Sequence, residues 1–269
     1  MGKFLDADPH ELVVTFDNFV HDSAFPSMLR WVLQTLERAY GQPVDIEFAC
    51  DGERFHILQC RPQVVRGSDV PVRLPQGIGD ARKVFTARRD VTNGSVSAIE
   101  YVVLVDAAAY DRLEPTERKS EVARVVHAVN DRLKDRAFIL MGPGRWGSKD
   151  PRLGVKTGYA DICNARMLIE VARPLGGFIP EASFGSHFFQ DLVESDIYYL
   201  ALYPEDDGVL WNASFLEGSP NDLHRICPEF ASFEDVVRVI HVPVASGGLY
   251  LRVDMDGEKG EALGYLTSV

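Results

Sequence analysis

The 269-residue chain is 46% hydrophobic and 25% charged, a composition typical of a globular protein with enough apolar material for one or two cores. Its formal net charge of −12 excludes a general binder of nucleic acid backbones, because no excess of Lys and Arg is available to displace counterions. Four cysteines without CxxC spacing do not support a zinc or redox site. The sequence has neither an apolar run of about 20 residues nor a basic signal-peptide start, so we expect a cytoplasmic protein without membrane or nucleic acid partners.

The first predicted elements are a helix and a hairpin. Apolar residues recur at three- and four-residue steps from Ser27 to Tyr40, and Gly41 follows as a C-cap, which predicts an amphipathic helix. Two extended runs, residues 44–51 and 55–61, flank "DGER", whose Asp-Gly dipeptide supplies the positive φ that a tight turn needs. We therefore expect the helix to lead directly into a β-hairpin.

The length of the loop decides which side chains of the hairpin share a face. A three-residue loop, residues 52–54, places Asp45 opposite Arg61 and Glu47 opposite Gln59, and all four then lie on one face because side chains alternate along a strand. The other face is expected to pack inward and carries Ile46, Phe48, Leu58 and Cys60. An even-numbered loop would put Glu47 or Gln59 into the core, so the cost of burial favours the odd loop.

The polar face of this hairpin combines a carboxylate, an amide and an arginine. Glu47 and Gln59 offer hard oxygen ligands that suit Mg²⁺ already bound to a polyphosphate, and Arg61 offers a bidentate contact to phosphate oxygens. The alternative is a solvated sheet face with a surface ion pair between Asp45 and Arg61. The spacing by itself leaves both interpretations open.

The residues of the hairpin also carry a family resemblance. "PVDIEFACDGERFHILQCRP" resembles the closing strands of the ATP-grasp nucleotide-binding domain of pyruvate phosphate dikinase and phosphoenolpyruvate synthase, and "LRWVLQTLERAYGQ" resembles the segment before them. The resemblance implies that residues 1–65 are the C-terminal piece of such a domain. It also implies that Glu47 and Gln59 ligate Mg²⁺ and ATP, and that Arg61 contacts phosphate.

The same resemblance implies an incomplete nucleotide site. An ATP-grasp site closes between two lobes, and the upstream lobe, with its lysine, arginine and glycine-rich loop, would precede Met1. The sequence also lacks the family's "GG.T(S/C)HAA" phosphohistidine segment. We therefore expect a truncated or split phosphotransferase of this family that receives the missing lobe from a separate chain. The alternative is a non-catalytic module that binds an anion or a protein and keeps the hairpin as a vestige.

The texture of the sequence changes after the hairpin. "RPQVVRGSDVPVRLPQGIGDAR" holds three prolines and three glycines without periodicity, which predicts a linker over residues 66–80. Residues 81–269 then alternate apolar strands with amphipathic helices, which predicts an α+β domain with helices packed on a mixed sheet. Strands are predicted over residues 101–105, 137–141, 167–172, 197–203 and 248–257. Helices are predicted to start at residues 115–117 and to span residues 186–194 and 232–240. Residues 209–216 are predicted to form a further element, either a helix or a strand.

A glycine-rich loop follows the predicted strand at 137–141. "GPGRWG", residues 142–147, satisfies GxGxxG, and Asp161 lies at about the distance of a ribose contact, as in an NAD-linked oxidoreductase. The next residues, "SKDPRLG", interrupt any helix, so the helix dipole that would hold a pyrophosphate is missing and NAD is not expected. The loop also does not match the P-loop pattern, which requires Lys followed by Ser or Thr, because here Ser148 comes before Lys149.

This loop concentrates positive charge in an acidic chain. Arg145, Lys149 and Arg152 lie among three glycines, and backbone amides in such loops form anion-binding nests. The pattern favours Arg145 and Lys149 as contacts to the phosphates of a nucleotide or to another anion. The alternative is a structural turn covered by Trp146.

A predicted helix near residue 190 carries a histidine. In "SFGSHFFQDLVE", His187 falls in the first helical turn, with Asp191 and Glu194 four and seven residues further on along the same face. Three interpretations compete: a His–Asp pair on the helix surface, a metal site, or a histidine that accepts a phosphoryl group near the positive end of the helix. Bulky Phe188 and Phe189 replace the small residues of the family's phosphohistidine motif, so His187 is a weak candidate for catalysis.

Two segments of the second half resemble a known domain. "FILMGPGRWGSKDPRLGV" with "YADICNA", and "SFGSHFFQDLVE", are similar to the C-terminal domain attached to this nucleotide-binding domain in a group of bacterial proteins. The resemblance supports the two-domain architecture and implies no mechanism.

Overall fold

The computed structural model describes residues 24–41, 43–51, 54–62, 71–184 and 186–268. The chain divides into two compact units, Met1–Val65 and Arg66–Val269, and its helices with parallel and antiparallel sheets make it an α+β protein. Residues 66–70 of the predicted linker lie outside the described residues, and residues 71–79 contain neither helix nor strand. None of the helices in the described ranges has both the length and the apolar character needed to cross a membrane.

The described part of the first unit is a helix packed on a two-stranded hairpin. It contains α1 (Ala24–Tyr40), β1 (Val44–Cys50) and β2 (Phe55–Pro62), as predicted. Phe25 near the start of α1 lies against Phe48 and Phe55, with ring centroids 5.8 and 6.2 Å apart. These aromatic contacts hold the apolar stripe of α1 against one face of the hairpin.

The second unit contains two sheets. Its strands are β3 (Lys83–Ala87), β4 (Gly94–Ile99), β5 (Tyr101–Val105), β6 (Phe138–Pro143), β7 (Met167–Val171), β8 (Tyr198–Leu202), β9 (Val237–His241), β10 (Tyr250–Asp256) and β11 (Glu261–Thr267). Five of them form a sheet in the order β8-β7-β6-β5-β9, in which β5 to β8 are parallel and β9 is antiparallel to β5. The other four form an antiparallel sheet in the order β3-β11-β10-β4.

Helices cover one face of the five-stranded sheet and the four-stranded sheet covers the other. The helices of that face are α2 (Ala107–Asp111), α3 (Glu117–Arg132), α4 (His187–Glu194) and α6 (Leu223–Ile226). The short helices α5 (Ala213–Leu216) and α7 (Val242–Ser246) contribute to the apolar cluster between the sheets, and 3₁₀ helices occur at Asp80–Arg82, Tyr159–Asp161 and Pro228–Phe233. Val103 joins the apolar cluster under α3, whereas its neighbour Val102 joins the cluster between the sheets. Burial on both faces explains why β5 reads "YVVLV" without polar alternation.

One predicted helix is wrong. Residues 232–240 form the end of a 3₁₀ helix and most of β9, which pairs Val239 with Val103 of β5. The β-branched residues of this segment gain burial in the sheet, and that gain outweighs the helical spacing of its apolar residues. The predicted element at residues 209–216, whose type the sequence left undecided, contains the short helix α5.

Strands β3, β4 and β11 were not predicted from the sequence. Gly264 lies in the middle of β11, and glycine is depleted from strand interiors because it has no side chain to pack. The space that its side chain would occupy is filled by Phe85 of β3: a Cβ at Gly264 would lie 2.6 Å from two atoms of the Phe85 ring. Gly264 therefore allows a fully buried aromatic ring to approach the strand.

We expect Gly264→Ala to lower the free energy of unfolding by about 1–3 kcal/mol, because the added methyl group overpacks the contact with Phe85. Urea unfolding followed by tryptophan fluorescence measures the change. Gly79→Ala is the control, since Gly79 has φ −61° and nothing would lie within 4 Å of a Cβ added there. Equal stability of the two variants would contradict the close contact.

Candidate functional site

The hairpin of the first unit brings the predicted polar side chains together. β1 and β2 are antiparallel, with Asp45 opposite Arg61 and Glu47 opposite Gln59. This cross-strand pairing is the one predicted from the sequence. Because directly opposite residues of a sheet project from the same face, the carboxylate of Glu47 and the amide of Gln59 are neighbours.

The route to this pairing differs from the prediction. Cys50 pairs with Phe55, so four residues, 51–54, close the turn instead of three; residues 52–53 lie outside the described residues. A β-bulge at Leu58 then shifts the register by one residue between the turn and Gln59. Leu58 is 66% exposed, so its predicted inward position is wrong: it is the extra residue of the bulge.

The charged groups of the hairpin are partly shielded from water. Arg61 Nε lies 3.5 Å from Asp45 Oδ2, and the two side chains are 22% and 39% exposed. Arg61 Nη2 is buried and has no hydrogen-bond partner in the described part of the chain. Glu47 and Gln59 are exposed. The arginine therefore keeps one edge of its guanidinium group that can donate to a ligand oxygen.

The donor set fits a metal ion only if a ligand brings further oxygens. One carboxylate and one amide provide two ligands, whereas Mg²⁺ takes six, commonly from substrate phosphates and water. No group of three or more His, Cys, Asp or Glu side chains suited to a metal ion occurs among the described residues. The hairpin thus suits a metal that is delivered with a polyphosphate better than a resident ion.

The segment that contains α1 and the hairpin matches a known protein family. Residues 16–77 match the family model of the pyruvate phosphate dikinase AMP/ATP-binding domain. The match includes α1 and the hairpin and ends before β3. No curated protein and no solved structure matches the chain.

In the second unit, a buried carboxylate organises the glycine-rich loop. Glu170 on β7 accepts hydrogen bonds from the backbone N–H of Trp146 (2.7 Å) and of Ser183 (2.5 Å), one on each carboxylate oxygen. The hydroxyls of Ser183 and Tyr199 donate to the same carboxylate over 2.6 and 2.7 Å. Burial raises the pKa of Glu170, and these donated hydrogen bonds oppose the shift.

These contacts change the interpretation of the loop as an anion nest. The Trp146 amide already binds an anion, the carboxylate of Glu170, and the Arg145 amide donates to the Leu153 carbonyl. Trp146 itself is fully buried, as expected for the structural alternative. Glu170 was not anticipated because it sits within the apolar run "MLIEV", where an isolated acid gives no periodic signal.

The predicted cations of the loop have different environments. Arg145 is half-buried and Lys149 is exposed. Arg152 binds Asp150 through two nitrogens, Nε at 3.0 Å and Nη2 at 2.6 Å, and this contact lowers the pKa of Asp150 to about 2. The positive charge predicted for the loop is therefore partly neutralised within the loop.

The dinucleotide pattern lacks its structural context, as expected. Residues 144–158 contain no helix after β6, so the loop does not lead into the helix that the dinucleotide pattern requires. Asp161 accepts a hydrogen bond from the Gly158 backbone N–H over 2.7 Å and lies 3.1 Å from His127 Nδ1. Its carboxylate is used in local structure.

His187 lies where the sequence placed it. It is the first residue of α4, and Ser186 caps the helix by accepting a hydrogen bond from the Phe189 backbone N–H. His187, Asp191 and Glu194 are all exposed. The neighbouring Gly185 of the "GSH" segment lies outside the described residues.

We expect Glu170→Gln to lower the free energy of unfolding by about 3 kcal/mol. Each carboxylate oxygen accepts one backbone N–H, so the amide nitrogen of glutamine would face a donor in either orientation. Urea unfolding compared with Glu194→Gln, the same change at an exposed position, measures the effect. A cost no larger than that of the control would show that the four hydrogen bonds are not needed.

Proposed function

We propose that this chain supplies half of a Mg²⁺–ATP site, with Glu47 and Gln59 as metal and nucleotide ligands and Arg61 as a phosphate contact. The cross-strand pairing of Glu47 with Gln59 carries the proposal. The match of residues 16–77 to an AMP/ATP-binding domain supports the same ligand. Arg61 Nη2, buried without a partner in the described ranges, supplies a donor suited to a phosphate oxygen.

The proposed reaction class is phosphoryl transfer from ATP. Bound Mg²⁺ would neutralise charge on the phosphate oxygens, and the chain's own residues would orient the nucleotide. Glu47 and Gln59 would hold the metal from one side, and Arg61 would fix one phosphate in register. The other side of the site would come from a second ATP-grasp lobe, supplied by a separate chain or by residues that precede this sequence.

Mg²⁺–ATP binding tests the proposal. We expect calorimetric titration of the full chain, alone and with the protein encoded immediately upstream, to detect binding in at least the second case. Glu47→Ala should weaken binding by about tenfold or more, equivalent to about 1.4 kcal/mol, because a charged metal ligand is lost. The Mg²⁺ dependence of ATP affinity should shrink in the same variant.

The matched control is Glu37→Ala, which removes an exposed carboxylate from α1 and should leave ATP affinity unchanged. Arg61→Lys keeps the charge but loses the fork of donors, so it should weaken ATP binding in the presence and in the absence of Mg²⁺. If neither form of the preparation binds ATP, or if Glu37→Ala and Glu47→Ala behave alike, the hairpin is not a nucleotide site.

A further inference from the structure

A cleft opens at the carboxyl ends of β5, β6 and β7. Its volume is about 470 Å³, within the range of roughly 300–1,000 Å³ that small-molecule sites occupy. Ligands of α/β sheets bind at this edge, outside the carboxyl ends of parallel strands. Four segments of the chain line the cleft: one at the end of each of these three strands, and a fourth, with Trp211 and Glu217, that follows β8.

The cleft has an apolar floor and one aromatic wall. Leu104, Pro143 and Val171, near or at the ends of β5, β6 and β7, line it together with Trp211. The guanidinium of Arg173 lies 5.2 Å from the centre of the Trp211 ring. The indole Nε1 of Trp211 donates to Glu217 over 2.8 Å, which fixes the orientation of the ring.

The acidic side chains that line the cleft are engaged in local contacts. Asp106 accepts a hydrogen bond from the Ala109 backbone N–H over 2.7 Å as the N-cap of α2. Asp111 accepts one from the Gly176 backbone N–H over 2.9 Å. Its carboxylate also lies 3.6 Å from the ammonium of Lys119.

The third acid of the cleft, Glu217, forms an ion pair with a cation that also lines the cleft. Glu217 lies 4.0 Å from Arg173 in addition to its contact with Trp211. The remaining cation, Arg112, lines the cleft at the C-terminal end of α2 and makes no ion pair with any residue in the described ranges. Its five N–H donors are therefore available to an anion.

We infer that this cleft binds a small organic anion, a carboxylate or phosphate ester with an apolar body, through Arg112 and the wall formed by Trp211. The apolar body would lie on the ends of the parallel strands, where it displaces water from apolar surface. Arg112 would hold the anionic group through charge-assisted hydrogen bonds. The inference is independent of the nucleotide hairpin, because every residue that carries it belongs to the second unit.

Three probes of similar shape test the inference: phenylacetate, phenyl phosphate and the neutral phenylacetamide. We expect saturable binding of at least one anion to the full chain in ligand-observed NMR titrations, and binding of phenylacetamide at least about tenfold weaker. A preference between the two anions identifies the acidic group. Arg112→Gln should reduce the affinity for the bound anion by roughly tenfold and leave the amide unchanged.

The matched control is Arg166→Gln. Arg166 is exposed and directly precedes β7, so it lies at the opposite edge of the sheet from the cleft. Trp211→Leu should weaken all three probes alike, because it removes the wall for the apolar body and not the anion contact. The inference is overturned if neither anion shows saturable binding or if phenylacetamide binds as tightly as the anions. It is also overturned if the Arg112→Gln and Arg166→Gln variants bind the anion with the same affinity.

Discussion

The second unit depends on a buried carboxylate in the middle of a parallel sheet. Glu170 sits on β7 and accepts hydrogen bonds from the loop that follows β6, from the loop that follows β7, and from Tyr199 on β8. A carboxylate in this position is tolerated because all its contacts are donors, two of which are backbone amides that cannot reverse their polarity. The interaction fixes the loops at the same edge of the sheet where the cleft opens.

The hairpin illustrates a different constraint, which is parity along a strand. The four-residue turn would send Gln59 to the face opposite Glu47, since side chains alternate with a period of two. The bulge at Leu58 adds one residue to β2 and restores the alignment. As a result, Leu58 is exposed to solvent, and the carboxylate of Glu47 lies beside the amide of Gln59.

The two units present their arginines in different ways. Arg61 is largely buried, lies beside Asp45, and keeps one nitrogen without a partner among the described residues. Arg112 lies at the border of a cleft whose acids are held by backbone amides, by the Trp211 indole and by other cations. By contrast, Arg152 in the glycine-rich loop is bound by Asp150. The partner of each guanidinium, more than its sequence context, determines which one can receive an anion.

The sequence by itself determined the elements with a strong local signal. The stripe of α1, the runs of β5 to β8 and the valines of α3 follow from periodicity. The cost of burying polar groups predicted the pairing of Glu47 with Gln59, but not the bulge through which β2 reaches it. Tertiary structure decided what depends on contacts between distant residues. Gly264 is in a strand because Phe85 fills its side-chain space, and residues 237–241 are a strand because they pair with β5. Glu170 is stable within an apolar run because loops far away in sequence bring their donors to it, and no local pattern encodes that convergence.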